Sequence, residues 1–158
     1  SGLHTNGYSL ARKIIFEDQE MDANDQIPGT GRTAAEELLE GHRSYLPEVK
    51  ALMRKLQIRG LIHITGGGMI ENIPRVLPGE TSVRIDTTSW KTPPLFGFLE
   101  EKGGVSRDEM FRVFNMGIGM VFIIREQDEE KLGNAGGLRW EPVRIGKVVR
   151  GDRTVTLE

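Results

Sequence analysis

The strongest constraint on this chain is the run Leu61-Ile62-His63-Ile64-Thr65 leading directly into Gly66-Gly67-Gly68 and on to Met69-Ile70-Glu71-Asn72, with Pro74 two residues further. A short apolar run closed by turn residues reads as a buried strand. Three successive glycines let the backbone reverse sharply and approach another group with no Cβ in the way. The apolar residues that follow fit a short helix, which Pro74 limits. A strand, a tight turn and a short helix are therefore predicted within fifteen residues.

The remaining pattern mixes helices and strands irregularly. Asn6 is placed to cap a helix from about Gly7 to Glu17, with Leu10, Ala11, Ile14 and Ile15 on one face. The polar stretch from Asp18 to Gly31 reads as a loop. Thr33 with Glu36 forms a capping box for a helix through Leu39. Pro47 suits the first turn of a helix that faces Val49, Leu52, Met53 and Leu56 inward. Pro93 and Pro94 open a helix carrying Leu95, Phe96, Phe98 and Leu99, and Ser106 with Glu109 caps the next, through about Phe114. Further strands are predicted over Ser82–Asp86, Met120–Arg125, Val143–Val149 and Thr154–Leu157, with a polar helix over Glu126–Leu132. Regular alternation of strand and helix is absent, which argues against a doubly wound parallel sheet. The expected class is α+β, with helices on a mixed, mostly antiparallel sheet.

Net charge is −2, from 21 basic and 23 acidic residues without a long run of either sign. A clustered basic excess would mark a nucleic-acid binder, so no nucleic-acid partner is expected. The absence of cysteine excludes disulfides, thiolate metal ligands and cysteine nucleophiles and fits a cytoplasmic protein. No stretch reaches the roughly 18 apolar residues of a membrane span. The chain opens at Ser1-Gly2-Leu3 with no signal-peptide pattern and no Met; a fragment or trimmed chain is expected.

The glycine turn is the first place for chemistry. Backbone N–H groups at a turn entering a helix favour an anion, most naturally a phosphate, with the Thr65 hydroxyl as an added donor and Arg75 as added charge. A ligand-free structural turn remains the alternative. No Gly-Lys-Ser/Thr follows, so this is not a P-loop, and Glu71 stands where a dinucleotide fingerprint has its third glycine. His63 alternates with Leu61 and Thr65; it is either a hydrogen-bonded core residue or a ligand-facing acid/base group. A second cluster, Gly2 to Ser9, puts His4, Thr5, Asn6 and Ser9 around one helix start. His4, His42 and His63 show no zinc-ligand spacing, and no metal site is expected. Arg43 and Tyr45 precede a helix; they read first as surface residues and second as residues placed to reach a ligand. Asn115-Met116-Gly117-Ile118-Gly119 reads as structural, with Gly117 a helix C-cap.

Four blocks in order carry a family resemblance: Gly2-Leu3-His4-Thr5-Asn6-Gly7-Tyr8-Ser9-Leu10-Ala11-Arg12-Lys13, His63 through Pro78, Ile85-Asp86 with Ser89-Trp90, and Met110 through Met120. Trp140 and Ile145-Gly146 add a weaker fifth. The chain resembles the C-terminal domains of the aminoimidazole ribonucleotide synthetase, or phosphoribosylformylglycinamidine cyclo-ligase, family over nearly its whole length. The block His-Ile-Thr-Gly-Gly-Gly-x-x-Glu-Asn-Ile-Pro-Arg is highly specific; distant relatives usually carry Asp in place of His63. Many members read Pro-Thr-Arg-x-Tyr where this chain has Gly41-His42-Arg43-Ser44-Tyr45, which leaves the conformation of that loop open.

The resemblance implies a layered α/β/α domain spanning residues 1–158 as a single domain, without the family's N-terminal ATP-binding domain. It implies a ligase of purine biosynthesis that closes an imidazole ring. ATP phosphorylates the formyl amide oxygen of formylglycinamidine ribonucleotide, the amidine nitrogen attacks, and phosphate leaves. ATP and Mg belong mainly to the absent N-terminal half, so the isolated chain is expected to be inactive and the full-length enzyme a homodimer. His63 is then the proton handler. His4, Thr5, Asn6, Gly7, Ser9, Thr65, Gly66, Gly67, Gly68, Asn72 and Arg75 are the residues implied for ribonucleotide and phosphate contact. Two rivals remain: another ATP-dependent kinase or synthetase of the same superfamily, and a non-catalytic module that binds a phosphate ligand.

Overall fold

The structure, a computed structural model, describes residues 1–133 and 138–158. These divide into two units interleaved along the sequence: Ser1–His42 with Ile64–Asn72 and Lys91–Gly119, and Arg43–His63 with Ile73–Trp90 and Met120–Glu158.

The first unit is built of helices. Helix α1, Tyr8–Arg12, continues as a π-helical turn over Lys13–Asp18 and buries Ala11, Ile14 and Ile15. Asn6 does not cap it. Gly7 takes that position at φ 77°, with no side-chain cap. A Cβ there would lie 2.5 Å from the Phe114 ring and 2.8 Å from Val113, so tight packing and a left-handed backbone together select glycine. Asn6 is displaced one residue outward, and its side chain is exposed.

Helix α2, Ala34–Leu38, has the predicted capping box: Glu36 N–H donates to Thr33 Oγ1 at 3.2 Å and Thr33 N–H to Glu36 Oε2 at 2.9 Å. Thr33→Ala is expected to cost about 1 kcal/mol, read as a lower urea midpoint at unchanged slope; an unmoved midpoint would show the box to be energetically idle.

Helix α3, Leu46–Lys55, belongs to the second unit and starts with Pro47 in its first turn. Leu52 and Leu56 are buried with Ile58, Phe122, Ile124, Leu132 and Leu138 around them. Met53, expected inward, is 62% exposed. The inward stripe runs instead through Glu48, Leu52 and Leu56, at i, i+4, i+8. The Glu48 side chain is buried; its Oε1 accepts the N–H of Arg139 at 3.3 Å, and among the described residues its Oε2 has no hydrogen-bond partner.

Strand β1, Gly60–His63, pairs antiparallel with β3, Met120–Ile123. Strand β2, Thr81–Ile85, lies between β4, Gly146–Arg150, antiparallel to it, and β5, Val155–Leu157, parallel to it. The pairing is mostly antiparallel, as expected of an α+β chain, and the strands divide between two sheets. Consecutive β4 and β5 form no hairpin. The hydroxyl of buried Ser82 accepts the N–H groups of Asp152 and Thr154 at 3.0 and 3.1 Å. That grip carries the connection over the end of β2 to its far edge.

In the first unit, helix α4, Gly68–Asn72, follows the glycine turn; a 3-10 turn over Ile73–Val76, in the second unit, contains Pro74. Helix α5, Pro94–Gly103, buries Leu95, Phe96, Phe98 and Leu99 and ends at left-handed Gly104. Helix α6, Arg107–Val113, is capped by Ser106 as predicted. Its C-cap is Phe114, not Gly117. Gly117 sits in the following turn at φ 96°, where a Cβ would meet the Pro93 ring at 2.5 Å. The polar segment predicted as one helix is a 3-10 turn, Glu126–Asp128, and helix α7, Glu130–Gly133. Among the described residues no helix is long and apolar enough to cross a membrane.

Candidate oxyanion site at the glycine turn

The first unit brings the two polar clusters read from the sequence onto one turn. Ile64 is fully buried, and its N–H donates to Gly119 O at 2.9 Å. The chain then reverses, with Gly68 N–H donating to Thr65 O at 3.0 Å. Asn72 is buried beneath this reversal. Its Nδ2 faces the carbonyl oxygens of Gly68 at 2.7 Å, Gly66 at 2.9 Å and Thr65 at 3.3 Å, and its Oδ1 accepts from the Thr65 hydroxyl at 3.3 Å. The peptides here are trans, and in a trans peptide N–H and C=O point opposite ways. With the Thr65 and Gly66 carbonyls gathered on Asn72, the N–H groups of Gly66 and Gly67 are directed to the other side. Two such adjacent N–H groups make a concave anion-binding element.

Each glycine has its own reason to be one. A Cβ on Gly66 would lie 2.8 Å from Asn6 Oδ1. Gly67 has φ 91°, and a Cβ there would lie 2.5 Å from Glu71 Oε2. Gly68 has φ 54°, with Phe111 O 1.9 Å from the would-be Cβ. Gly67 and Gly68 are thus required by backbone shape and packing, whereas Gly66 brings the turn against a polar side chain. The Glu71 carboxylate is the unfavourable charge beside the turn; Arg112 Nη1 lies 3.9 Å from its Oε1 and offsets it.

The segment that delivers Asn6 is fastened on both sides. His4 is buried; its Nδ1 lies 2.8 Å from Ile64 O and its Nε2 2.9 Å from Ser1 Oγ. A carbonyl only accepts, so Nδ1 carries the proton. The His4 ring also lies against His42, centroids 3.9 Å apart. Asn115, buried, donates from Nδ2 to Gly2 O at 2.8 Å and accepts the Gly117 N–H at 2.7 Å. Sequence reasoning missed Asn115 as a site-building residue. Its partner is 113 positions away, and an Asn before a Met-Gly turn carries no long-range signal.

Thr5 and Ser9 are exposed beside Asn6 and the start of α1, and Gly7 serves packing. His63, at the end of β1, and Arg75, in the 3-10 turn, are exposed residues of the second unit. There His63 keeps ring company with Tyr45, centroids 6.4 Å apart. Asp86, also in that unit, is occupied structurally: the Thr88 hydroxyl and N–H donate to it at 2.6 and 2.9 Å and hold its carboxyl below the usual carboxylate range.

Residues 1–157 match the family model described as AIR synthase related protein, C-terminal domain. The chain belongs to that family. It is 46% identical over 153 residues to a phosphoribosylformylglycinamidine cyclo-ligase of Citrifermentans bemidjiense, covering 96% of this chain and 44% of the relative. It is 42% identical over 161 residues to the protein of that name from Alkaliphilus oremlandii, covering 99% and 46%, and 45% identical to that from Geobacter sulfurreducens, covering 95% and 43%. The chain thus spans less than half the length of these relatives. The turn, its Asn72 staple and the fastened His4–Asn6 segment form one connected set within the first unit.

Proposed function

We propose that this chain is the C-terminal, substrate-side half of an ATP-dependent cyclo-ligase that converts formylglycinamidine ribonucleotide to aminoimidazole ribonucleotide, ADP and phosphate. The observation that supports this reading best is the turn itself: carbonyls collected on Asn72, N–H groups of Gly66 and Gly67 turned outward, and the exposed Asn6 amide beside them. That arrangement suits the phosphate of a ribonucleotide. Thr5, Ser9 and Thr65 are the further contacts proposed around it. His63 and Arg75 of the second unit are proposed separately, as proton handler and as added positive charge.

ATP supplies the activation of the amide oxygen when bound. Mg-ATP is not a fit for the turn described above: the carboxylate beside it is Glu71, already near Arg112, and hard divalent cations take several oxygen ligands. The reading assigns ATP and Mg to the N-terminal half of a longer chain and leaves this chain to bind and orient the ribonucleotide. Holding both reacting ends of one molecule in a ring-closing pose is where such binding lowers the barrier. The full-length enzyme is proposed to be a cytoplasmic homodimer, and this chain alone to be inactive.

Calorimetric titration with formylglycinamidine ribonucleotide, beside AMP and inorganic phosphate, tests the anchor. Saturable binding is expected, weakened about tenfold or more by Gly66→Ala, whose Cβ would be built 2.8 Å from Asn6 Oδ1 and would push that amide, and the hydrogen bond it offers the phosphate, off the turn. Equal affinity of wild type and Gly66→Ala, repeated in the full-length protein, would remove the turn from the site.

A further inference from the structure

The segment that carries the Asn6 amide to the turn is an Asn-Gly pair, and the fold holds the glycine in place. Gly7 is fixed twice, by its φ of 77° and by the 2.5 Å that would separate a Cβ from the Phe114 ring, so position 7 stays glycine. Asn6 is exposed, and among the described residues its side-chain amide has no hydrogen-bond partner. The Gly7 N–H is likewise uncommitted among the described residues, whereas the Gly7 carbonyl accepts the N–H of Ala11 at 2.9 Å.

Asparagine is a thermolabile residue. A glycine after it leaves no Cβ to crowd the approach of the next backbone nitrogen to the side-chain amide. The Gly7 nitrogen loses its proton to solvent and attacks Asn6 Cγ. An N–Cγ bond forms, the Cγ–Nδ2 bond breaks, and Nδ2 leaves as ammonia with a proton from water. Water then opens the cyclic imide. Cleavage of its N–Cγ bond gives aspartate; cleavage of its bond to the Asn6 backbone carbonyl carbon gives isoaspartate, with the chain running through Cβ and Cγ. Water is consumed and ammonia released, and no oxidant or cofactor takes part.

We propose that Asn6-Gly7 is a site of spontaneous deamidation whose products disable the oxyanion turn. The consequence rests on the reading of that turn as the phosphate anchor. An ionised aspartate at position 6 has no N–H to donate. It also sets a negative charge beside the outward N–H groups of Gly66 and Gly67, where it repels a phosphate. Isoaspartate adds a backbone atom between two fixed points. One is His4, whose Nδ1 lies 2.8 Å from Ile64 O; the other is Gly7 against Phe114 and Val113. The extra atom turns position 6 away from Gly66. Other asparagines lack this combination. Asn72 and Asn115 are buried and precede Ile73 and Met116. Asn24 is exposed, but it precedes Asp25, whose N–H donates to Asp22 O at 3.0 Å.

The test ages the full-length enzyme in mildly alkaline buffer and digests it. The peptides are followed by mass spectrometry and by methylation with isoaspartyl methyltransferase. The peptide bearing Asn6 is expected to show the mass shift of amide-to-carboxylate exchange, and to become a methyl acceptor, well before those bearing Asn24, Asn72 or Asn115. Calorimetric binding of formylglycinamidine ribonucleotide should fall with the modified fraction. Asn6→Asp, which makes the aspartate product directly, should weaken that binding about tenfold or more with Tm unchanged. Asn6→Gln keeps an amide but must close a larger ring, and its aged protein should keep the affinity it began with. An Asn6 peptide that stays intact, or reacts no faster than that of Asn24, overturns the inference and leaves the reading of the turn standing. Unchanged ribonucleotide affinity in Asn6→Asp overturns that reading at Asn6, and this inference with it.

Discussion

Gly68→Ala destabilises the chain by about 3 kcal/mol or more, the largest effect expected of any single methyl group in the first unit. Two penalties act together. The backbone at Gly68 is left-handed, φ 54°, a conformation that costs an ordinary L-residue roughly 1–2 kcal/mol. The added Cβ would also be built 1.9 Å from Phe111 O and 3.0 Å from Phe114 O. These are backbone atoms at the end of α6, and they cannot swing aside as a side-chain tip would. Forcing atoms into a filled site typically costs about 1–3 kcal/mol. For a chain of this size the sum corresponds to a loss of roughly 10 °C in Tm. Gly66→Ala is the control. Gly66 lacks the positive φ, and its Cβ would meet the end of the exposed Asn6 side chain, which can move. Its expected cost is below about 1 kcal/mol. Parallel thermal melts decide the matter: equal Tm values for the two variants would mean that α6 does not hold the turn as described.

The contrast between these glycines shows how far the sequence could be read. The turn, its flanking strand and helix, the capping box at Thr33 and the Ser106 cap were legible because each is set by residues within four positions of one another. Failures came where a distant residue decided. Asn6 has ideal capping chemistry, yet Phe114 and Val113 leave room only for glycine at the cap position. Met53 fits an inward stripe on periodicity, but Glu48 takes that face, where the N–H of Arg139, 91 positions on, donates to it. The two last strands are predicted, but not that they lie on opposite edges of β2, with Ser82 gripping the segment between them. The candidate site follows the same rule. Its residue types were visible in two separate blocks; that Asn6 meets Gly66, and that His4 bonds to the residue before the turn, are long-range facts.

Asn72→Asp makes the stability of the turn depend on pH in a direction set by the carbonyls around it. In the native chain one side-chain NH2 group serves Gly66 and Gly68 at 2.9 and 2.7 Å, with Thr65 O also near at 3.3 Å. Aspartate has no hydrogen to offer. Its ionised oxygen would face carbonyl oxygens at hydrogen-bond distance in a buried place. Lost donors to buried acceptors cost about 1–3 kcal/mol, and the buried charge adds to that. Protonation relieves part of the damage, because a neutral carboxyl regains one O–H donor. The folded-state pKa of this aspartate is therefore raised above its unfolded value of roughly 3.9. The folded state then binds more protons than the unfolded state between those two pKa values, so stability falls as pH rises through that window. Urea unfolding is expected to show Asn72→Asp about 3 kcal/mol below wild type at pH 8, with the gap narrowing toward pH 5. Asn72→Ala, which loses the same donors but cannot titrate, should show a gap that does not change with pH. A pH-independent gap in Asn72→Asp would mean that the carboxylate has turned away from the carbonyls, and that Asn72 is not the group that orders the turn. If the gap behaves as expected, ribonucleotide affinity in the same variant should track it, recovering at the acid end, because the outward N–H groups hold their direction only while the inward carbonyls are held.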